Sequence, residues 1–199
     1  MNLTAPWSPL PLPVLLDQMQ GADFFWCLAG GQAIARVVGR SFRPHEDLDI
    51  VVLRSEQVAV QTWLHDWHLY AADPPGALRT WAPREILPTT VHDVWGHRHG
   101  KKSWELQIML QESDSEFWHY RRDARVRGAL KDLATSVAGV PCLRMDLQLL
   151  FKAKTVCPKD DLDFRELLPV LSTRERQNLA GWLRLTHPEG HPWCAALAA

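Results

Sequence analysis

The chain has 199 residues, with 22 Lys and Arg against 23 Asp and Glu, a formal charge of −1, and 46% apolar residues. That is enough chain for one domain, or one domain with a helical appendage, and enough apolar content to bury a core. The near-neutral charge speaks against a nucleic-acid binder that works through many phosphate contacts, though not against a small nucleotide, which needs only a few local cations.

In chain order, residues 1–8 read as a loose arm, closed by Pro9, Pro11 and Pro13. Val14 to Met19 predicts a short helix that Gly21 can end. Phe24 to Leu28 is an apolar run of strand length. Gly30-Gly31 then turns the chain, and Ala33, Ile34, Val37 and Val38 fall on one helical stripe that Gly39 stops. A basic loop with Arg40 and Arg43 leads to a β-branched strand, Asp49 to Leu53. Ser55 and Glu56 predict a capped helix to about Asp66, and Trp67 to Ala71 another strand.

Residues 73–100 show no clear period, hold Pro74, Pro75, Pro83 and Pro88, and read as a long functional or flexible loop. Ser103 to Gln111 alternates as a strand, with Phe117 to Tyr120 as its partner. Val137 to Leu143 is one further short extended segment around Gly139 and Pro141. From Arg144 the pattern turns helical: one helix ends before Pro158, one starts at Asp160 or Asp161, and Ser172-Thr173-Arg174-Glu175 is a capping box for a third. The fold class predicted is α/β (α+β): a mixed sheet flanked by helices over residues 1–140, with a small C-terminal helical segment over 141–199 packed on it.

The di-glycine turn would stand at a helix N-terminus, where free N–H groups and the helix dipole favour phosphate. Asp47 and Asp49 are two apart on a strand, so both project from one face and repel unless a cation lies between them. A hard cation such as Mg²⁺ takes such oxygens together with substrate phosphates. A phosphate turn and paired carboxylates joined by one short helix point to a nucleoside triphosphate site. Alone, the two aspartates would read as surface acids; Gly30, Gly31, Arg40, Arg43 and His45 around them favour the site. Arginine suits phosphate, and His45 is open between ordering the loop and touching the ligand.

Gly30-Gly31, a helix of two turns, then Gly39-Arg40-x-x-Arg43-x-His45-x-Asp47-Leu48-Asp49 resembles the signature of the nucleotidyltransferase superfamily with the DNA polymerase β-like fold. The resemblance is to its aminoglycoside 2″-adenylyltransferase-like branch. Leu150 to Lys154, Pro158 to Phe164 and His187 to Trp193 are similar to the tail of that branch. The resemblance implies an Mg²⁺-dependent transfer of a nucleoside monophosphate, AMP from ATP, to a hydroxyl of a small molecule such as an aminoglycoside. It implies Asp47 and Asp49 on two Mg²⁺ ions with a third carboxylate on the strand Ser103–Gln111. Glu105 is the carboxylate on that strand's polar face, and Gln107 is the alternative occupant of the third-acid position; Gln107 cannot act as a base. Lys152 is the lysine assigned to the nucleotide phosphates. Two alternatives stay open: a catalytically degenerate nucleotide-binding protein of the same fold, and a nucleotidyltransferase acting on a protein target.

The remaining signals are bland. Asp160, Asp161 and Asp163 read as caps and surface acids. His92, His97 and His99 with Asp93 match no standard helix-borne zinc spacing. Cys27, Cys142, Cys157 and Cys194 form no paired motif, as expected of free thiols in a reducing cytoplasm. No run reaches the length of a membrane span, and Met1 to Pro13 lacks a basic leader, so a cytoplasmic location is expected. Of the ten tryptophans, Trp81 and Trp95 are either loop anchors or walls of a substrate pocket.

Overall fold

The computed structural model describes residues 4–198. Part of the predicted arm, residues 1–3, lies outside them. The rest of the arm is not loose. Trp7 bridges Trp104, and the Ser8 and Leu10 N–H groups donate to the carbonyls of Trp104 and Glu105 at 2.8 and 2.9 Å. An exposed strand edge offers unpaired main-chain groups, and the arm satisfies them.

Helix α1 (Leu12–Gln18) is started by proline and buries Leu15. Strand β1 (Trp26–Ala29) passes without a loop into α2 (Gly30–Val38). The abrupt change of direction needs Gly30 at φ +65°, a conformation that costs an L side chain about 1–2 kcal/mol. Strand β2 (Asp49–Leu53) is buried beyond its first residue. A 3-10 turn then leads to α3 (Gln57–Trp63). Ser55 does not cap it; the Glu56 carboxylate instead accepts from the Phe25 N–H. Strand β3 (Trp67–Ala71) stands where a strand is predicted, and it alternates in burial.

The unperiodic stretch contains two strands, β4 (Arg79–Thr80) and β5 (Asp93–Arg98). Strand β5 escapes pattern reading because Gly96 interrupts it, and packing demands that glycine: a Cβ there would lie 3.0 Å from Leu69 and 3.2 Å from Trp67. Strands β6 (Leu106–Ser113), β7 (Phe117–His119) and β8 (Arg127–Ala129) follow. The single extended segment expected near Gly139 is the second half of a hairpin, β9 (Ala134–Val137) and β10 (Val140–Leu143), turning at Ala138 and Gly139 with φ of 47° and 80°. Helices α4 (Met145–Lys152), α5 (Pro158–Leu167), α6 (Thr173–Thr186) and α7 (Cys194–Leu197) close the chain. Ser172 and Glu175 form the predicted capping box of α6.

The sheet runs β4-β3-β5-β6-β2-β1-β10-β9 and is mixed: β2 is parallel to β6 and β1 to β10, and the other pairs are antiparallel. One face carries Leu28, Ile50 and Ile108, all fully buried. Burying each contributes roughly 1.5–3 kcal/mol. The other face carries the polar row Asp49–Gln107–Trp95, set by the pairing of β2 with β6 and β6 with β5. Among the described residues all four cysteines are free thiols, and no helix is long and apolar enough to cross a membrane.

Candidate active site

The site begins where β1 meets α2. Ala29 pairs with Asp49 across the antiparallel β1–β2 ladder, which sets Gly30 against the Asp49 carboxylate. A Cβ at Gly30 would overlap that carboxylate, and one at Gly31 would overlap the His45 ring and stand 2.7 Å from the Arg43 guanidinium. The corner is therefore open only because both residues lack side chains. Gly30 N–H donates to Gln148 Oε1 on α4 at 2.7 Å, and α2 has no side-chain cap.

Asp47 stands in the loop before β2 rather than on the strand, and its charge still reaches Asp49. Burial, then the Asp47 charge beside it, pushes the Asp49 carboxyl up to about 7; Lys152 and Lys159 oppose this. That is the signature of negative charge in need of a cation. His45 lies in the same corner with both ring nitrogens buried and unpartnered. Burial and the neighbouring Arg43 hold it below the usual imidazole range, so it is neutral near pH 7. An orphaned polar atom in a glycine-lined corner is an unmet hydrogen bond, which a phosphate oxygen would satisfy.

Helix α5 arranges the cations. Asp163 is fully buried and binds Arg43 through both oxygens, at 2.7 and 2.8 Å, and Lys152 at 2.9 Å. Lys152 also meets Asp160 at 3.0 Å. Burial disfavours the charged ammonium, but these carboxylates outweigh it and raise the Lys152 pKa. Asp163 is thus no surface acid: it is the hub that aims two cations toward Asp47 and Asp49. Nothing local marks it, because its partners lie 120 and 11 residues away in the chain. Gln148 was equally invisible. Asp161 accepts from the Trp193 indole, tying the tail to α5. Arg40 points elsewhere, to Glu166 at 2.5 Å on the exposed side of α5.

The third-acid candidates separate. Gln107 is the residue opposite Asp49. Glu105 is buried and committed to Arg98, accepting from its main-chain N–H at 2.9 Å and from its guanidinium at 2.6 Å. That contact draws its carboxyl below the usual range against the opposing effect of burial. The other carboxylate whose charge reaches Asp49 is Asp93 on β5, which accepts from Gln107 Nε2 at 3.1 Å. Trp95 stands in the Asp49 row, edge-on to Trp7 and Trp104, whereas Trp81 is a buried loop anchor whose indole donates to the Glu85 carbonyl.

Two carboxylates, a glycine cradle, an unsatisfied imidazole and a clamped lysine and arginine fit a magnesium–polyphosphate group. Among the described residues no cluster of three or more His, Cys, Asp or Glu is assembled to hold a metal by itself.

A family model described as aminoglycoside-2″-adenylyltransferase matches residues 12–167. No curated protein matches the sequence significantly. Solved structures do. One is the lincosamide antibiotic adenylyltransferase LnuA with lincomycin bound, at TM-score 0.56 and 17% identity over 83% of this chain and 99% of that one. Another is the antibiotic-resistance factor ANT(2″)-Ia in solution, at TM-score 0.54 and 13% identity over 88% and 90%. ANT(2″)-Ia in complex with adenylyl-2″-tobramycin gives 0.52 and 12% over 84% and 92%. At these identities the likeness is one of fold.

Proposed function

The chain belongs to the aminoglycoside-2″-adenylyltransferase family, and from that premise we propose that it transfers AMP from ATP to a hydroxyl of a small molecule, releasing pyrophosphate. The observation that carries the reading is the corner itself: Gly30 and Gly31 packed on Asp49, His45 and Arg43, with Asp47 and Lys152 beside them.

Asp47 and Asp49 would hold Mg²⁺. When bound, the ion supplies charge neutralisation on the phosphates and alignment of the attacking and leaving oxygens. The chain's own residues do the rest. The N–H groups of the first turn of α2 beyond Gly30, whose own N–H goes to Gln148, and the neutral His45 take phosphate oxygens. Lys152 and Arg43, kept charged and aimed by Asp163, meet the negative charge that builds on the leaving pyrophosphate. Arg40 stands at the rim and reaches phosphate only by releasing Glu166.

The proposed division of labour is a nucleotidyltransferase domain in residues 1–140 and a C-terminal segment, 141–199. The first residues of that segment lie in β10, between β1 and β9, and its helices lend Gln148, Lys152 and Asp163. The proposed acceptors are antibiotics of the kind the neighbours bind, aminoglycoside or lincosamide, as the names of those structures record. The reading is tested with α-labelled ATP, Mg²⁺ and a panel of such antibiotics. Transfer of label to an acceptor is expected; an Asp49→Asn variant as active as the wild type refutes the assignment.

A further inference from the structure

We propose that Asp93, on β5, takes the acceptor hydroxyl's proton, that Gln107 positions it, and that the cleft they share with His92 and Arg121 receives the acceptor. The proposal rests on the nucleotidyl-transfer reading above and adds the residue that reading lacks.

The resemblance expects the base for the in-line attack on β6, the strand that borders Asp49. There the sequence has Gln107, paired directly with Asp49. An amide cannot accept the proton, and Glu105, two residues away, is bound to Arg98. The sheet register supplies the missing carboxylate from one strand further. Asp93 pairs with Met109 and Trp95 with Gln107, so Asp93, Gln107 and Asp49 share a face. Asp93 is diagonal to Gln107 across the β5–β6 pair, a separation a glutamine side chain spans. It does so: the Gln107 amide donates to Asp93 Oδ1 at 3.1 Å. The glutamine thereby fixes one carboxylate oxygen, and the other is the one proposed to accept the proton.

The surroundings are those of a binding cleft. Asp93, Gln107, His92, Arg121 and Phe151 line a cavity of about 270 Å³ that opens beside the Asp49 row. His92 Nδ1 is buried there without a partner. Arg121 is held below its ordinary range by burial, and the negative charge of Asp93 opposes this. Phe151 precedes Lys152 on α4, so one wall of the cleft is continuous with the phosphate corner.

The step balances as follows. The acceptor O–H loses its proton to Asp93 while its oxygen bonds the α-phosphorus. The bond from that phosphorus to the bridging oxygen breaks, and its electron pair leaves with pyrophosphate. The proton passes from Asp93 to solvent.

Two measurements test it. The first compares label transfer from ATP to tobramycin, to lincomycin and to water in the wild type and in Asp93→Asn. A general base contributes roughly 100-fold or more, so transfer is expected to fall by that factor while calorimetric affinity for Mg·ATP stays within about threefold. The double variant Asp93→Asn/Gln107→Glu, which returns a carboxylate to the adjacent strand, is expected to recover part of the loss. Asp93→Asn transferring at the wild-type rate, or Glu105→Gln losing more than Asp93→Asn, overturns the proposal.

The second measurement needs no acceptor. With Mn²⁺ and a non-hydrolysable ATP analogue, paramagnetic relaxation is expected to broaden the Gln107 side-chain amide more than the Arg98 Nε–H. Stronger broadening at Arg98 places Glu105 at the reacting centre and overturns the proposal alone. No binding of the Mn²⁺–analogue complex by the wild type brings down the nucleotidyl-transfer reading, and this proposal with it.

Discussion

Gly30 and Asp49 touch across the β1–β2 pair, so closely that any Cβ on Gly30 would collide with the Asp49 carboxylate. One contact thus joins the element that would hold phosphate to the element that would hold the cation. Their separation is fixed by a β-ladder rather than by a flexible loop.

Gly30→Ala is expected to lose on two counts. The backbone at φ +65° is strained for alanine by about 1–2 kcal/mol, and the new methyl displaces Asp49. Gly39→Ala shares the strain, at φ +81°, but meets nothing within 4 Å. Both variants should melt at lower temperature, whereas Mg·ATP affinity should drop roughly tenfold or more in Gly30→Ala alone. Equal affinities in calorimetry would separate the corner from the nucleotide.

The Asp49 carboxyl, near 7 when folded, is ordinary when unfolded, so the unfolded chain gives up its proton first. The stability tied to this group is full below about pH 4 and is lost as pH rises through about 7. Relative to Asp49→Asn, which cannot ionise, the metal-free wild type should become steadily less stable between about pH 4 and about pH 7, the window those values define, and level off above it. Mg²⁺ with nucleotide should restore more of it at pH 8 than at pH 6, since the carboxylate must be ionised to bind. Thermal midpoints of the two proteins across this range check the sign; parallel curves would contradict it.

Asp163→Ala removes the shared partner of Arg43 and Lys152. Leaving Arg43 without its carboxylate and Lys152 with Asp160 alone should cost about 3–5 kcal/mol. Glu166→Gln breaks only the exposed pair with Arg40 and should cost less than about 1 kcal/mol. Urea denaturation of both variants measures the contrast, and similar midpoints would deny Asp163 its central role.

His45→Leu should leave the free protein as stable as before, because both ring nitrogens are unpaired within it. If those nitrogens serve phosphate, Mg·ATP binding should weaken by roughly 10- to 100-fold, the range of a hydrogen bond to a charged group. Unchanged affinity would assign His45 to loop packing alone.

How much of this was legible in the sequence depends on how local each signal is. The turn at Gly30-Gly31, the stop at Gly39 and the capping box at Ser172 are written within a few residues each, and the structure has all of them. Strand β5 was not legible. Its glycine answers to Trp67 and Leu69 on a neighbouring strand, and its aspartate lay among histidines that suggested a different chemistry. Asp163 looked like a surface acid because its helix is strongly polar and its partners are remote.

By itself the sequence determined the fold class and the chemical character of the site, because helix caps, strand alternation and a glycine corner obey short-range sterics and hydrogen bonding. Only the tertiary structure decided which charges meet. Sheet register set Gln107 rather than Glu105 opposite Asp49 and carried Asp93 within reach. The packing of α5 on the loop before β2 turned an acidic helix into the clamp for Arg43 and Lys152. Electrostatic interactions depend on distance in space, and a one-residue change of strand register, invisible in the chain, moves every side chain to the opposite face.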